Sequence, residues 1–155
     1  MKNWILSQID FNCRANKKII DVLKLNDIRP KRCIKLLSHL IAYQDMWYEK
    51  LKKHIEFNIA VWDTYTLVEC EILNKQSWSH WQNLIKYKKR DALFENFTYR
   101  NSAGIPSEMM LIDITKNIFE HSAHHRGQIA LLLKQNKIEP PDLSYFSFTN
   151  EDPVT

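Results

Sequence analysis

The chain has 155 residues, 45% of them hydrophobic and 26% charged, the balance of one soluble globular domain over residues 1–155 rather than two. Its formal charge of +4, from 22 Lys and Arg against 18 Asp and Glu, leaves no large field of one sign, so nucleic acid is not an implied partner. Nothing approaches the roughly 20 apolar residues of a membrane span, and the apolar run Trp4–Leu6 is too short for a signal peptide.

Breakers are rare. Gly104 and Gly127 are the two glycines, and Pro30, Pro106, Pro140 and Pro141 stand where long segments would end, which argues for long helices. From about Asn3 to Lys24, Ile5, Ile9, Ala15, Ile19, Ile20 and Leu23 recur at spacings near three and four, the pattern of one buried helical face. A second helix runs from about Lys31 to His54, with Ile34, Leu37, Ile41 and Tyr48 as its stripe and Leu36, Leu40, Tyr43 and Trp47 widening it.

Residues 55–73 have no clean period and read as a crossover with some local helix. The third helix is expected from about Asn74 to Asp91, on the inward spacing of Trp78, Trp81, Leu84 and Ile85. Its basic run, Lys86, Lys88, Lys89 and Arg90, reads as a solvated face, because only Tyr87 interleaves it. Phe94, Phe97 and Tyr99 alternate with polar residues before Asn101, Ser102 and Gly104, as in a short β-hairpin or an extended connection. The last helix would start near Pro106 or Ser107 and reach about Asn136 before Pro140 and Pro141 forbid it. Four amphipathic helices in so short a chain bury their stripes against one another, so the expected fold is all-α, a four-helix bundle.

Polar residues interrupt the buried arc of the last helix. Met110, Ile114, Ile118, Ile129 and Leu132 define that arc at 100° per residue, and Asn117, His121, His125 and Gln128 fall on it. A buried imidazole without a partner costs on the order of 1–3 kcal/mol. His121 and His125, four apart, stack at the spacing at which two imidazoles grip one cation. On the second helix His39 can point inward beside Tyr43 and Met46. Together His39, His121 and His125 would offer three neutral nitrogens and leave one position for water, the open arrangement of catalytic zinc. Hydrogen-bonded core histidines without metal are the plain alternative.

His124, rotated about 100° from His125, would lie at the edge of the packed face, and His54 and His80 have no partner at ligand spacing, so all three stay outside the proposed ligand set. Three cysteines, Cys13, Cys33 and Cys70, form no CxxC pair, which fits neither a disulfide framework nor a thiolate zinc site and points to a reducing cytoplasm. Glu120 precedes His121 but no HExxH motif is present. Gly127 in mid-helix implies close approach by another helix. Arg126 reads as a structural ion-pair partner. Gln128 would hold a metal-bound water, orient a ring or bond a core carbonyl.

The stretch HSAHHRGQIALLLKQNKIEPPDL resembles the closing signature of the DinB/YfiT-like superfamily, a helix carrying HxxxHRGQ followed by a loop with a Pro-Pro-Asp type sequence. The resemblance extends to LLSHLIAYQDMWYEKL, ANKKIIDVL and FTYRNSAG. It implies a four-helix bundle, commonly dimeric, with a divalent metal on His39, His121 and His125. Some members are transferases or isomerases dependent on a low-molecular-weight thiol. Asn117 departs from the pattern, since members often carry a further histidine there.

Three functions follow as expectations. The first is a metal-dependent enzyme, with zinc, nickel or another late divalent ion lowering the pKa of a bound water or thiol, and with Tyr43 and Gln128 as candidates near the open position. The second is a non-catalytic, dimerising metal-binding protein of a stress response. The third is a plain helical bundle without metal.

Overall fold

The computed structural model describes residues 1–52, 60–101 and 103–150. Four long helices dominate it: α1 (Lys2–Leu25), α2 (Lys31–Leu51), α3 (Leu67–Tyr87) and α4 (Leu111–Gln135). A 3-10 turn at Asp91–Phe94 leads into an antiparallel hairpin, β1 (Asn96–Arg100) with β2 (Pro106–Met110), before α4; a short α5 (Tyr145–Asn150) follows it. The bundle and the hairpin agree with the sequence reading. None of the described helices is long and apolar enough to cross a membrane.

Two helix starts differ from expectation, each for a local reason. Helix α3 begins at Leu67 rather than near Asn74, because Thr66 and Glu69 form a reciprocal capping box: the Thr66 hydroxyl accepts from Glu69 N at 3.2 Å and Glu69 Oε2 accepts from Thr66 N at 2.7 Å. The same helix stops at Tyr87, so Lys88, Lys89 and Arg90 lie beyond it. Helix α4 begins at Leu111 rather than at Pro106 or Ser107, because Pro106–Met110 is spent pairing with β1, Tyr99 opposite Ser107 and Asn96 opposite Met110. Met110 therefore stands at the N-cap and not on the buried arc. Of the 55–73 crossover, residues 55–59 lie outside the described residues, as does His54; Ala60–Thr66 is irregular apart from a turn, and the rest is the start of α3.

At the hairpin turn, Asn101 Oδ1 accepts from Ala103 N and Ile105 N, both at 3.0 Å, and Gly104 takes a φ of 75°, where a side chain would be strained. At the far end of α4, Lys137 adopts a φ of 59° and Ile138 N bonds back to Leu133 O at 2.9 Å, closing the helix.

The interior falls into two apolar clusters with a polar layer between them. One gathers Ile19, Ile20, Leu23, Cys33, Leu36, Leu37, Leu40, Ile41, Ile129 and Leu133; the other gathers Ile5, Ile9, Trp47, Trp81, Ile85, Leu93, Leu111, Ile114 and Ile118. On each helix buried polar residues lie between the two sets: Asn12 and Asn16 on α1, Gln44 on α2, Asn74 and Ser77 on α3, and Ser122 and Arg126 on α4. They bond to one another across helices. Arg126 Nη1 donates to Asn12 Oδ1 at 2.7 Å and Asn16 Nδ2 donates to Asn74 Oδ1 at 2.9 Å. Gln44 Nε2 donates to Ser122 Oγ at 3.2 Å, and Ser77 Oγ donates to Gln44 Oε1 at 3.3 Å.

Sliding any one helix by a turn would leave these amides facing hydrocarbon, at about 1–3 kcal/mol for each orphaned group. The layer therefore fixes the axial register of all four helices, and with it the height at which α2 meets α4. That height is where the histidines lie.

Two expectations fail in this layer. Arg126 has no carboxylate partner among the described residues; it is 3% exposed, is held by the Asn12 and Asn16 amides and lies over the Phe11 ring at 5.3 Å. Burial pulls its pKa down to about 10. Gly127 meets no close neighbour: a Cβ built there would have nothing within 4 Å. It is rotated past the buried Arg126 onto the exposed face, so packing does not account for it.

Candidate metal centre

His39 on α2 and His121 and His125 on α4 converge at the edge of the polar layer where these two helices pack. His121 Nε2 lies 3.1 Å from His39 Nε2 and 3.2 Å from His125 Nε2. One ligand atom from each ring falls within 4.8 Å of the other two, so the trio could hold a divalent metal. Among the described residues no other His, Cys or carboxylate joins this group.

What surrounds the rings decides their protonation. His39 Nδ1 is 2.6 Å from the carbonyl of Val61, and His125 Nδ1 is 2.8 Å from Gln128 Oε1. Both neighbours can only accept, so each Nδ1 carries the proton and each Nε2 presents its lone pair to the centre. The Gln128 amide is itself oriented by its Nε2, 3.1 Å from His124 Nε2. Between these two lone pairs stands His121 Nε2. A proton there can satisfy only one of them, and the other contact then sets lone pair against lone pair. A cation satisfies all three nitrogens at once. Ligand nitrogens about 2.0–2.1 Å from a tetrahedral ion are themselves separated by about 3.3 Å, close to the two spacings from His121.

Burial disfavours the charged form of two of the rings. Burial, reinforced by His125 and His39, pushes His121 down to about 4. His39 is lowered mainly by burial, against the Val61 hydrogen bond that raises it. Neutral imidazole is the form that binds a metal, so the cost of desolvation falls on the competing proton.

Aromatic rings set the orientation. Tyr43 stacks on His121 with centroids 3.7 Å apart and planes at 16°, and its hydroxyl donates to Asn117 Oδ1 at 2.7 Å. Asn117, where the family resemblance anticipates a histidine, thus anchors the ring that backs His121. His121 Nδ1 is buried with no partner among the described residues, so this ring is positioned by stacking rather than by a hydrogen bond. On the other side Trp62 stacks on His39 at 3.7 Å and 7°.

The fold brings the three residues proposed as ligands together, and the two further candidates prove to be neighbours of the rings: Gln128 holds His125, and Tyr43 backs His121. His124 touches Gln128, while His80 stacks on Tyr48 at 4.8 Å, away from the cluster. Val61 and Trp62 escaped the sequence reading. Val61 acts through its backbone, which no side-chain pattern records; the one available signal for Trp62 was a tryptophan in an aperiodic, partly polar stretch.

Compared with models of known protein families, the chain matches the DinB family over residues 22–152, and it belongs to that family. No curated protein matches it.

Proposed function

We propose that this DinB-family chain is a divalent-metal-dependent enzyme, with His39, His121 and His125 as ligands through Nε2, that activates a low-molecular-weight thiol for S-transfer or isomerisation. The observation that carries the reading is the convergence of the three Nε2 atoms, two of them held as lone-pair donors by Val61 and Gln128. Zinc is the first choice and nickel or another late divalent ion the second, because imidazole ligands suit all of them. Such an ion is a Lewis acid that brings a bound thiol or water toward ionisation near neutral pH.

The remaining work falls to the chain. Val61 and Gln128 fix the tautomers of His39 and His125. Tyr43 and Trp62 hold two rings in plane and keep water from one face of each. The three-ligand set, with no fourth protein ligand among the described residues, supports an open catalytic centre over a closed structural one. Free Cys13, Cys33 and Cys70 accord with action in a reducing cytoplasm, and a homodimer belongs to the same reading through the family resemblance.

The test is elemental analysis of untagged protein, followed by assay of the loaded protein with small thiols and electrophilic acceptors. The reading expects about one metal per chain and turnover that is lost in His125→Ala. Less than about 0.1 metal per chain after reconstitution refutes the metal centre. Stoichiometric metal without turnover for any thiol refutes the enzyme and leaves the non-catalytic metal-binding protein.

A further inference from the structure

The N-terminal part of α2 carries Lys31, Arg32 and Lys35, with no acidic residue in its first turn. Cations at this end oppose the helix macrodipole, so helix stability does not explain them. Among the described residues none of the three forms an ion pair. They line an open cavity of about 350 Å³ together with Ile34 and Thr64.

The cavity lining includes neither the histidines nor Trp62, and helix α2 is what connects the two regions. Lys35 precedes His39 by four residues and Arg32 precedes it by seven, so both lie on the face of α2 that carries His39, about 6 Å and 10.5 Å along the axis. Trp62 bridges the two regions: its ring stacks on His39, and Lys35 Nζ lies 5.9 Å from its centroid. Thr64 on the cavity wall follows Trp62 by two residues.

We propose that this ladder of Arg32, Lys35 and Trp62 selects the substrate: the thiol carries a carboxylate or comparable anionic group roughly 6–11 Å from its sulfur, a span set by the helix rise. Lys35 and Arg32 bind that group, and the sulfur lies at the three histidines. Trp62 forms the floor between them. The inference deepens the thiol-enzyme reading and rests on it.

The probe is glutathione, whose two carboxylates lie at about this reach, compared with glutathione diethyl ester, which has the same skeleton without those charges. Calorimetric titration of the zinc-loaded protein should give binding of the acid about tenfold tighter than the ester, a preference that falls as salt rises. In the Arg32→Glu/Lys35→Glu double variant the preference should vanish or reverse while zinc content stays that of the parent. Equal binding of acid and ester, survival of the preference in the double variant, or no binding of either form overturns the inference. Zinc content is read separately on each sample, so loss of the metal centre is told apart from loss of anion selection.

Discussion

Replacing Gln128 with Leu removes the acceptor 2.8 Å from His125 Nδ1 while keeping most of the side-chain volume. Without it His125 is free to take the other tautomer, with its proton on Nε2 and its lone pair turned away from the other two rings. Metal binding then has to reverse the tautomer and leave a half-buried N–H without a partner. Losing such a support costs metal affinity about 10–100-fold, or about 1.4–2.7 kcal/mol. Gln128→Glu should act in the opposite direction, because a carboxylate on the Nδ1 proton makes the ring a better donor. Competition with a chelator of known zinc affinity reads both variants. The Leu variant should be weakened by at least about tenfold, with the Glu variant at or above the parent. A Leu variant within about twofold of the parent would refute the positioning argument.

The metal-free protein should lose stability as pH falls from about 6.5 toward 4, because His121, held down at about 4, and His39, also lowered, take up protons more readily in the unfolded chain. Urea midpoints across that range check this, and a zinc-saturated sample should resist the loss until protons displace the metal. Gly127→Ala should stabilise the protein by about 0.5–1 kcal/mol, since the site is helical and open; a lower melting temperature would contradict it. Asp45 has a buried Oδ1 without a partner among the described residues, and burial pushes its carboxyl up to about 6. Asp45→Asn should therefore stabilise by about 1–2 kcal/mol at pH 8, after allowance for solvent screening, and by less near pH 4 in denaturant titrations.

What was legible in the sequence was periodic. Ile5, Ile9 and Ile19, like Ile34, Leu37 and Ile41, repeat at helical spacing, and burial of such stripes dictates the bundle. His121 and His125 stood out because two imidazoles on an apolar stripe need a shared reason to be there, and His39 because it was the one histidine of α2 that could turn inward. What escaped was carried by backbone groups or by local chemistry that competes with periodicity. The Thr66–Glu69 capping box starts α3 a full two turns early, although its residues were in view. Pro106–Met110 could equally open a helix or close a hairpin, and pairing with β1 decided it. From the sequence Arg126 reads as the partner of a carboxylate; two asparagines on α1 supply the oxygens instead, and no spacing within α4 could reveal them.

The polar layer accounts for how histidines from two helices meet at one height. Asn12, Asn16, Gln44, Asn74, Ser77, Ser122 and Arg126 lock the helices in register, and the three rings occupy the same level on the α2–α4 side. The candidate metal centre and the register of the helices thus draw on one stratum of the bundle.

X-ray absorption at the zinc edge, on protein reconstituted in thiol-free buffer, tests the central claim most directly. The predicted spectrum has the multiple-scattering pattern of three imidazoles, with nitrogens about 2.0–2.1 Å from the ion and the remaining scatterer a light atom. A sulfur shell, a single imidazole, or the same spectrum from a His39→Ala variant would contradict it.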